Sequence, residues 1–274
     1  MTLWRNSILS LAAIFLIAGF LAPIAIMFAT SFYHRTTTHY VPGFELTHYL
    51  RAFDPLYLGA MWNTFRLSFL AATIAMIIAF PFTFFMAATS RKLQTVALVL
   101  VLSVLSLSEV IVAFSWSTAL SRSAGISNLL VWFGLMDRPA SWARGLPAVV
   151  AALTYFNLSF AILMLYPHCS RLDNSYGEAA RVMGASPLRA FFNVIVPILR
   201  RPLVSTWIVL FVFSMGAVAT PIWLGRPQEW MLAVHISQQA LELGNMPFAS
   251  ALGVVFLSVA IILVAAVNKL GNKP

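Results

Sequence analysis

Ser175-Tyr-Gly-Glu-Ala-Ala-Arg-Val-Met-Gly-Ala-Ser-Pro-Leu-Arg-Ala-Phe-Phe-Asn-Val-Ile-Val-Pro-Ile-Leu-Arg-Arg-Pro202 is the longest piece of this chain that is both polar enough for water and patterned as helix. Ser175 followed three residues later by Glu178 is a capping-box pattern, with the hydroxyl expected to cap the first turn and the carboxylate to reach back. Ala179, Ala180, Arg181, Val182 and Met183 continue a short helix. Gly184 is its expected stop, because glycine tolerates the left-handed conformation at a helix end. Ser186 and Pro187 restart the chain as N-cap and first helical residue. Leu188 to Val196 is expected to form a second short helix, closed by Pro197 and Pro202. The product is two short helices joined by a tight elbow near Ala185.

Outward from this stretch the chain turns apolar. Hydrophobic residues make up 61% of the 274, charged residues 9%, and the mean hydropathy is +0.88. A soluble domain carries about 25% charge, so the bilayer is the solvent here. Apolar runs near the 20-residue length of a span number six: Ser7–Thr30, Leu67–Thr89 with Pro81 as a kink, Thr95–Leu120, Leu146–Tyr166, Leu203–Leu224 and Phe248–Val267. The first reads as an uncleaved anchor. With no internal repeat or linker, residues 1–274 read as one all-α domain, a polytopic transmembrane helical bundle.

Lys and Arg set the orientation. With both termini in the cytoplasm, the inner segments carry Arg5, Arg91, Lys92, Arg171, Arg181, Arg189, Arg200, Arg201, Lys269 and Lys273, against seven basic residues outside. That places the loop of residues 170–202 in the cytoplasm. Much of the net charge of +9 is then a topological signal, and nucleic acid is not an expected partner.

Glu178-Ala179-Ala180, three residues, Gly184, nine residues, then Val194-Ile195-Val196-Pro197 resembles the EAA loop of ABC importer permeases, with Val194 and Val196 standing in for the pattern's Ile and Leu. Asp54-Pro55-Leu56-Tyr57, Ala79-Phe80-Pro81-Phe82, Thr220-Pro221-Ile222-Trp223-Leu224-Gly225 and Asn245-Met246-Pro247-Phe248-Ala249 resemble the polyamine-type branch, and within it the B-type spermidine/putrescine permeases. The resemblance implies the type I ABC importer permease fold, with a cytoplasmic coupling helix that sits in a cleft of an ATPase subunit. It assigns that role to Glu178, Ala179, Ala180, Arg181, Gly184, Ala185, Ser186, Pro187 and Pro197. Arg181 and Arg189 are either docking contacts or inside-positive charges. The implied partners are a second permease forming a heterodimer, two ATPase subunits inside, a periplasmic solute-binding protein outside, and lipid. The implied location is the bacterial inner membrane, and the solute a small, polar, cationic amine. Opines, amino-acid-like amines and phosphonates are alternative cargoes.

No Gly-x4-Gly-Lys-Ser/Thr loop occurs, so no ATP is expected to bind by a P-loop here; ATP and Mg belong to a partner chain. No nucleophile elbow or His-Glu-x2-His occurs either, and no catalytic residue or metal ligand set is assigned. A secondary transporter would show inverted repeats and paired broken helices, and a membrane scaffold would not need the EAA spacing. Glu109, deep in the third span, is the sharpest substrate candidate, because a carboxylate at bilayer depth is costly and by default functional. Its alternative is a structural hydrogen bond to Ser106, Ser108 or a neighbouring span. Trp116, Phe213 and Trp223 are candidate cation–π walls, alternatively plain packing.

Outside, His34, His39 and His48 fit no metal-ligand spacing and read as solvated. Residues 128–136 around Trp132 are expected flat at the interface, and residues 227–245 as a re-entrant or surface helix. Cys169 reads as a small apolar filler.

Overall fold

The computed structural model describes residues 2–36, 40–123, 125–173 and 175–271, with the side chains of 2–14, 268, 270 and 271 left out. The side chain of Arg5, and all of Lys273 and His39, therefore lie outside what is described; Arg5 and Lys273 were used to orient the chain. Among the described residues the strands form one two-stranded hairpin, β1 (His34–Arg35) and β2 (Tyr40–Val41), antiparallel with His34 opposite Val41, and the rest is helix with connecting turns and loops.

Helix α1 (Thr2–Thr30) precedes the hairpin, and α2 (Thr47–Arg51) follows it. Then come α3 (Pro55–Ala87), α4 (Arg91–Leu105), α5 (Glu109–Ala119), α6 (Ile126–Trp132) and α7 (Leu146–Ser170). The polar loop holds α8 (Ser175–Val182), α9 (Pro187–Ala190), a π-helical turn at Phe191–Ile195 and α10 (Val196–Ile198). After it run α11 (Arg200–Met215), α12 (Ala219–Leu224), a 3₁₀ turn at Pro227–Glu229, α13 (Leu232–Ser237), a π turn at Gln238–Glu242 and α14 (Met246–Gly271).

Among the described residues three helices are long and apolar enough to cross a membrane: α3, α7 and α14. Two bent pairs, α4 with α5 and the 187–198 segment with α11, bring the number to five if each is one span. The expected sixth is α1, whose described apolar part is Phe15–Thr30, shorter than a full crossing.

Three spans differ from the sequence reading. The second begins at Pro55, twelve residues before Leu67. Pro55 opens the helix without needing an N–H partner, and the Asp54 carbonyl accepts from Tyr57 and Leu58. The third is not continuous. It breaks at residues 106–108 and turns by 96°. Ser106 Oγ donates back to Leu102 O at 3.0 Å, and Ser108 is extended, a serine competition with the helix that hydropathy does not register. The fifth ends at Met215. Gly216 caps it, and Pro221 lies in the first turn of the separate helix α12 instead of closing a span.

Contacts divide the chain into two compact units. In the first, Met1–Gly59 with His235–Val259, Thr30 and Ser250 share a hydrogen bond of 2.9 Å, Arg35 donates to Leu243 O at 2.9 Å, and the Arg51 guanidinium lies 4.6 Å from the Phe248 ring centroid. Glu45 accepts from Thr47 and from His34 Nδ1, and these bonds hold its carboxyl below the usual range. His34 is thus paired, and His48 is buried with Nε2 3.1 Å from Tyr33 O. His34 stays exposed, in keeping with the sequence reading, while bonded to Glu45; only His48 departs from that reading, because it is buried beside the Tyr33 carbonyl.

The second unit is Ala60–Val234 with Ala260–Pro274. Its axis is α7, two-thirds buried (67%) along its apolar window where α14 is only 11% buried. One face of α3 carries Ser68, Ala71, Ala72, Ala75 and Ala79, all fully buried. Such small residues let helix backbones approach where no hydrophobic effect drives association. Leu67 and Ala71 join Val149, Leu153, Leu224 and Met231 in one core cluster.

Candidate functional sites: a break-lined cavity and a polar helical loop

Two helix breaks meet inside the second unit. Glu109 is the first residue of α5, Thr220 the second of α12, and the two helices pack on one another. Glu109 Oε1 accepts from the Thr220 backbone N–H at 3.1 Å and from Thr220 Oγ1 at 3.0 Å. The carboxylate therefore satisfies a donor that the start of a helix leaves free. Beside this contact is a cavity of about 280 Å³, lined by Glu109 and Thr220 together with Phe156, Asn157, Phe213 and Ser214. Asn157 is fully buried; its Nδ2 donates to Ser214 Oγ at 2.7 Å, while Oδ1 has no partner among the described residues.

Of the four residues singled out for a substrate path, the cavity collects Glu109 and Phe213. Phe213 also packs on Phe160, 4.6 Å between centroids. Trp116 lies against Tyr155 and the core cluster, and Trp223 packs on Phe114, 5.6 Å away. Asn157 and Ser214 were not foreseen. An asparagine inside the apolar run of residues 146–166 was the available signal, because a polar side chain at that depth needs a reason.

The polar loop follows its local chemistry closely. Gly184 takes φ of +87°, Ala185 N–H donates to Ala180 O at 3.0 Å, and Gly184 N–H to Arg181 O at 2.9 Å, the paired bonds of a Schellman cap. Ser186 Oγ accepts from Arg189 N–H at 3.4 Å with Pro187 in the first turn. Two details differ. Ser175 is already helical, and its N–H donates to Asp173 Oδ1 at 2.9 Å, so Asp173 supplies a cap expected from Ser175. That bond holds the Asp173 carboxyl below its usual range. Pro197 does not close the second helix; a π turn just before it accommodates the proline, and the break comes at Leu199, with a 74° bend into α11.

A groove of about 540 Å³ runs between this loop and α3, lined by Glu178, Arg181, Pro187 and Phe191 against Pro81 and Phe84. Ala180 is buried and Ala179 exposed. Val182 and Met183 are 89% and 88% exposed. The residue that holds the loop to the spans is Phe191, unassigned from sequence. Its ring lies 5.1 Å from Phe80, 5.4 Å from Phe84 and 6.4 Å from Phe85, all on α3. Around it Leu165, Cys169, Ile195 and Leu199 form a second core cluster. At the α3–α4 turn, Gln94 Nε2 donates to the carbonyls of Ala87 and Thr89, and Tyr166 Oη donates to Gln94 Oε1 at 2.8 Å, tying the turn to α7.

Residues 79–273 match the model of the family described as "Binding-protein-dependent transport system inner membrane component". The chain is 29% identical over 258 residues to the spermidine/putrescine transport system permease protein PotB of Haemophilus influenzae, covering 92% of this chain and 90% of the relative. It is 26% identical to PotB of Escherichia coli, covering 84% of each. The crystal structure of a bacterial alginate ABC transporter, in complex with alginate pentasaccharide-bound periplasmic protein, contains a chain that aligns with a TM-score of 0.71 at 20% identity, over 98% of this chain and 94% of that one; at that identity the likeness speaks for the fold. Since the match spans well over half of the residues and the fold agrees, the chain belongs to the family of inner-membrane components of binding-protein-dependent transport systems, the ABC importer permeases.

Proposed function

We propose that this permease carries a small amine-bearing cation of the polyamine type. The observation that carries this reading is the Glu109 carboxylate, which lines a cavity between two broken helices and has no basic residue among the cavity's lining. A carboxylate in that setting favours a cationic visitor. The two relatives above, both spermidine/putrescine permeases, point the same way.

In this reading a loaded periplasmic binding protein docks outside. A second permease completes the path, and two ATPase subunits inside bind ATP and Mg. Both termini and residues 170–202 face the cytoplasm. The exposed apolar side chains of Val182 and Met183 meet the ATPase, with Glu178 and Arg181 offering charges beside them. Closure of the ATPase pair is passed from α8 and α9 through Phe191 to α3.

The test is ATP-driven uptake of labelled putrescine and spermidine by proteoliposomes holding the complete transporter. Unlabelled amino acids, phosphonates and sugars serve as competitors. Saturable amine uptake, competed only by amines, is expected. Uptake of another solute with no amine uptake would overturn the cargo. For the coupling role, Glu178→Arg and Gly184→Trp are expected to weaken ATPase retention in a pull-down. Full retention in both counts against it.

A further inference from the structure

The cavity at the α5–α12 junction carries a chemical pattern narrower than a lone carboxylate. Two oxygens at its lining accept no hydrogen bond among the described residues, Glu109 Oε2 and Asn157 Oδ1, whereas Glu109 Oε1 accepts from Thr220 and Asn157 Nδ2 donates one of its two N–H bonds to Ser214. Asn157 is 0% exposed, so its unpartnered oxygen has no access to bulk water. An acceptor buried without a donor is destabilising, and removal of the group that would satisfy it is felt. The remaining walls are apolar or aromatic: Leu153, Phe156, Phe213 and Ala217.

Resting on the amine reading above, we infer that this cavity is a subsite for one protonated primary amine. Glu109 Oε2 and Asn157 Oδ1 receive two of its three N–H donors, and Phe156 and Phe213 flank the attached methylenes. An ammonium offers three donors and no acceptor, which matches a pair of acceptors. A hydrated divalent cation wants six or more oxygens, and this lining supplies too few. An anion would meet two oxygens and no basic residue. The volume of about 280 Å³ lies below the roughly 300–1,000 Å³ of sites that enclose a whole drug-sized ligand. It therefore takes the end of a slender chain, and the rest extends away from it. Asn157 adds selectivity that Glu109 alone lacks, since a carboxylate without a second fixed acceptor binds any cation.

The experiment measures putrescine binding by calorimetry to the solubilised transporter without its binding protein, so that the permease's own affinity is read. Mannitol serves as a neutral hydroxyl probe and sodium as an inorganic one. Glu109→Gln and Asn157→Ala are each expected to weaken putrescine about tenfold or more, the loss of a charge-assisted hydrogen bond. Asn157→Asp keeps the volume and an acceptor and is expected to bind at least as tightly as wild type. It also stands in if Asn157→Ala fails to assemble, and loss of putrescine binding in the Asp variant would overturn the inference. Unchanged affinity in both Glu109→Gln and Asn157→Ala overturns it too, as does equal binding of mannitol or competition by sodium at matched concentration. If the complete wild-type transporter imports putrescine while these variants bind it normally, the subsite fails and the amine reading stands. If the wild type imports no amine, both fail.

Discussion

Phe191→Ala is the perturbation that most directly tests how the polar loop is joined to the spans. The ring is only partly buried, yet it touches three phenylalanines of α3 at centroid distances of 5.1, 5.4 and 6.4 Å. A fully buried Phe→Ala change costs about 3–5 kcal/mol. Partial exposure puts Phe191 at or below the low end, at about 3 kcal/mol, of which each aromatic pair supplies up to about 1 kcal/mol beyond simple burial. A loss of that size shifts a docked-to-detached equilibrium by roughly a hundredfold. The loop should then follow the ATPase while α3 does not. Expected, for the purified complete transporter, is normal assembly and ATP hydrolysis, with solute moved per ATP reduced at least severalfold and the permease melting at lower temperature. Phe192→Ala is the control. Its side chain is 62% exposed and makes no ring contact with α3, so it should leave melting nearly unchanged. If Phe191→Ala melts like the wild type and moves as much solute per ATP, the link through Phe191 is wrong.

Three further outcomes are expected. Gly184→Ala should cost about 1 kcal/mol from backbone strain alone, because φ is +87° while a Cβ there would meet nothing within 4 Å; melting of the detergent-solubilised protein reads it, and a neutral or stabilising result would refute the Schellman end. Tyr166→Phe removes the 2.8 Å bond to Gln94 Oε1 but leaves the two Gln94 Nε2 bonds, and should destabilise by about 1 kcal/mol in the same assay. The Glu45 carboxyl is held below its ordinary value of 4.5, first by Thr47 and then by His34. Its stabilisation of the loop is therefore complete above pH 4.5 and disappears as pH falls through the lower folded value. Amide exchange around residues 32–47 should accelerate only below pH 4.5, and Glu45→Gln should abolish that step.

The cavity was half legible in advance. Glu109 announced itself because a charge inside an apolar run is costly. Phe213 was named as one aromatic among several, with nothing local to rank it above Trp116 or Trp223. Asn157 and Ser214 passed unnoticed, and Thr220 was read only as part of a family motif, since single polar residues in a span read equally well as helix–helix hydrogen bonds. What brings these residues together is a pair of backbone breaks, at 106–108 and 216–218, and hydropathy averaged over about 20 residues smooths over a three-residue interruption.

Local chemistry, by contrast, was enough for the elbow of the polar loop, though not for its Asp173 cap or for the break at Leu199. Caps, stops and restarts at Gly184, Ser186 and Pro187 depend on residues within one helical turn, so the sequence alone determined them. It also determined the membrane class, because no folding of a chain with 9% charged residues could cover its surface with polar groups. Only the tertiary structure decided which carboxylate meets which helix start, that Asn157 is buried beside a cavity with an oxygen that has no partner among the described residues, and that Phe191 is a contact between loop and α3. Glu109 and Thr220 are 111 residues apart, and Phe191 and Phe80 are likewise far apart in sequence. Contacts over such separations are set by how helices pack and bend, and no local pattern of residues encodes them.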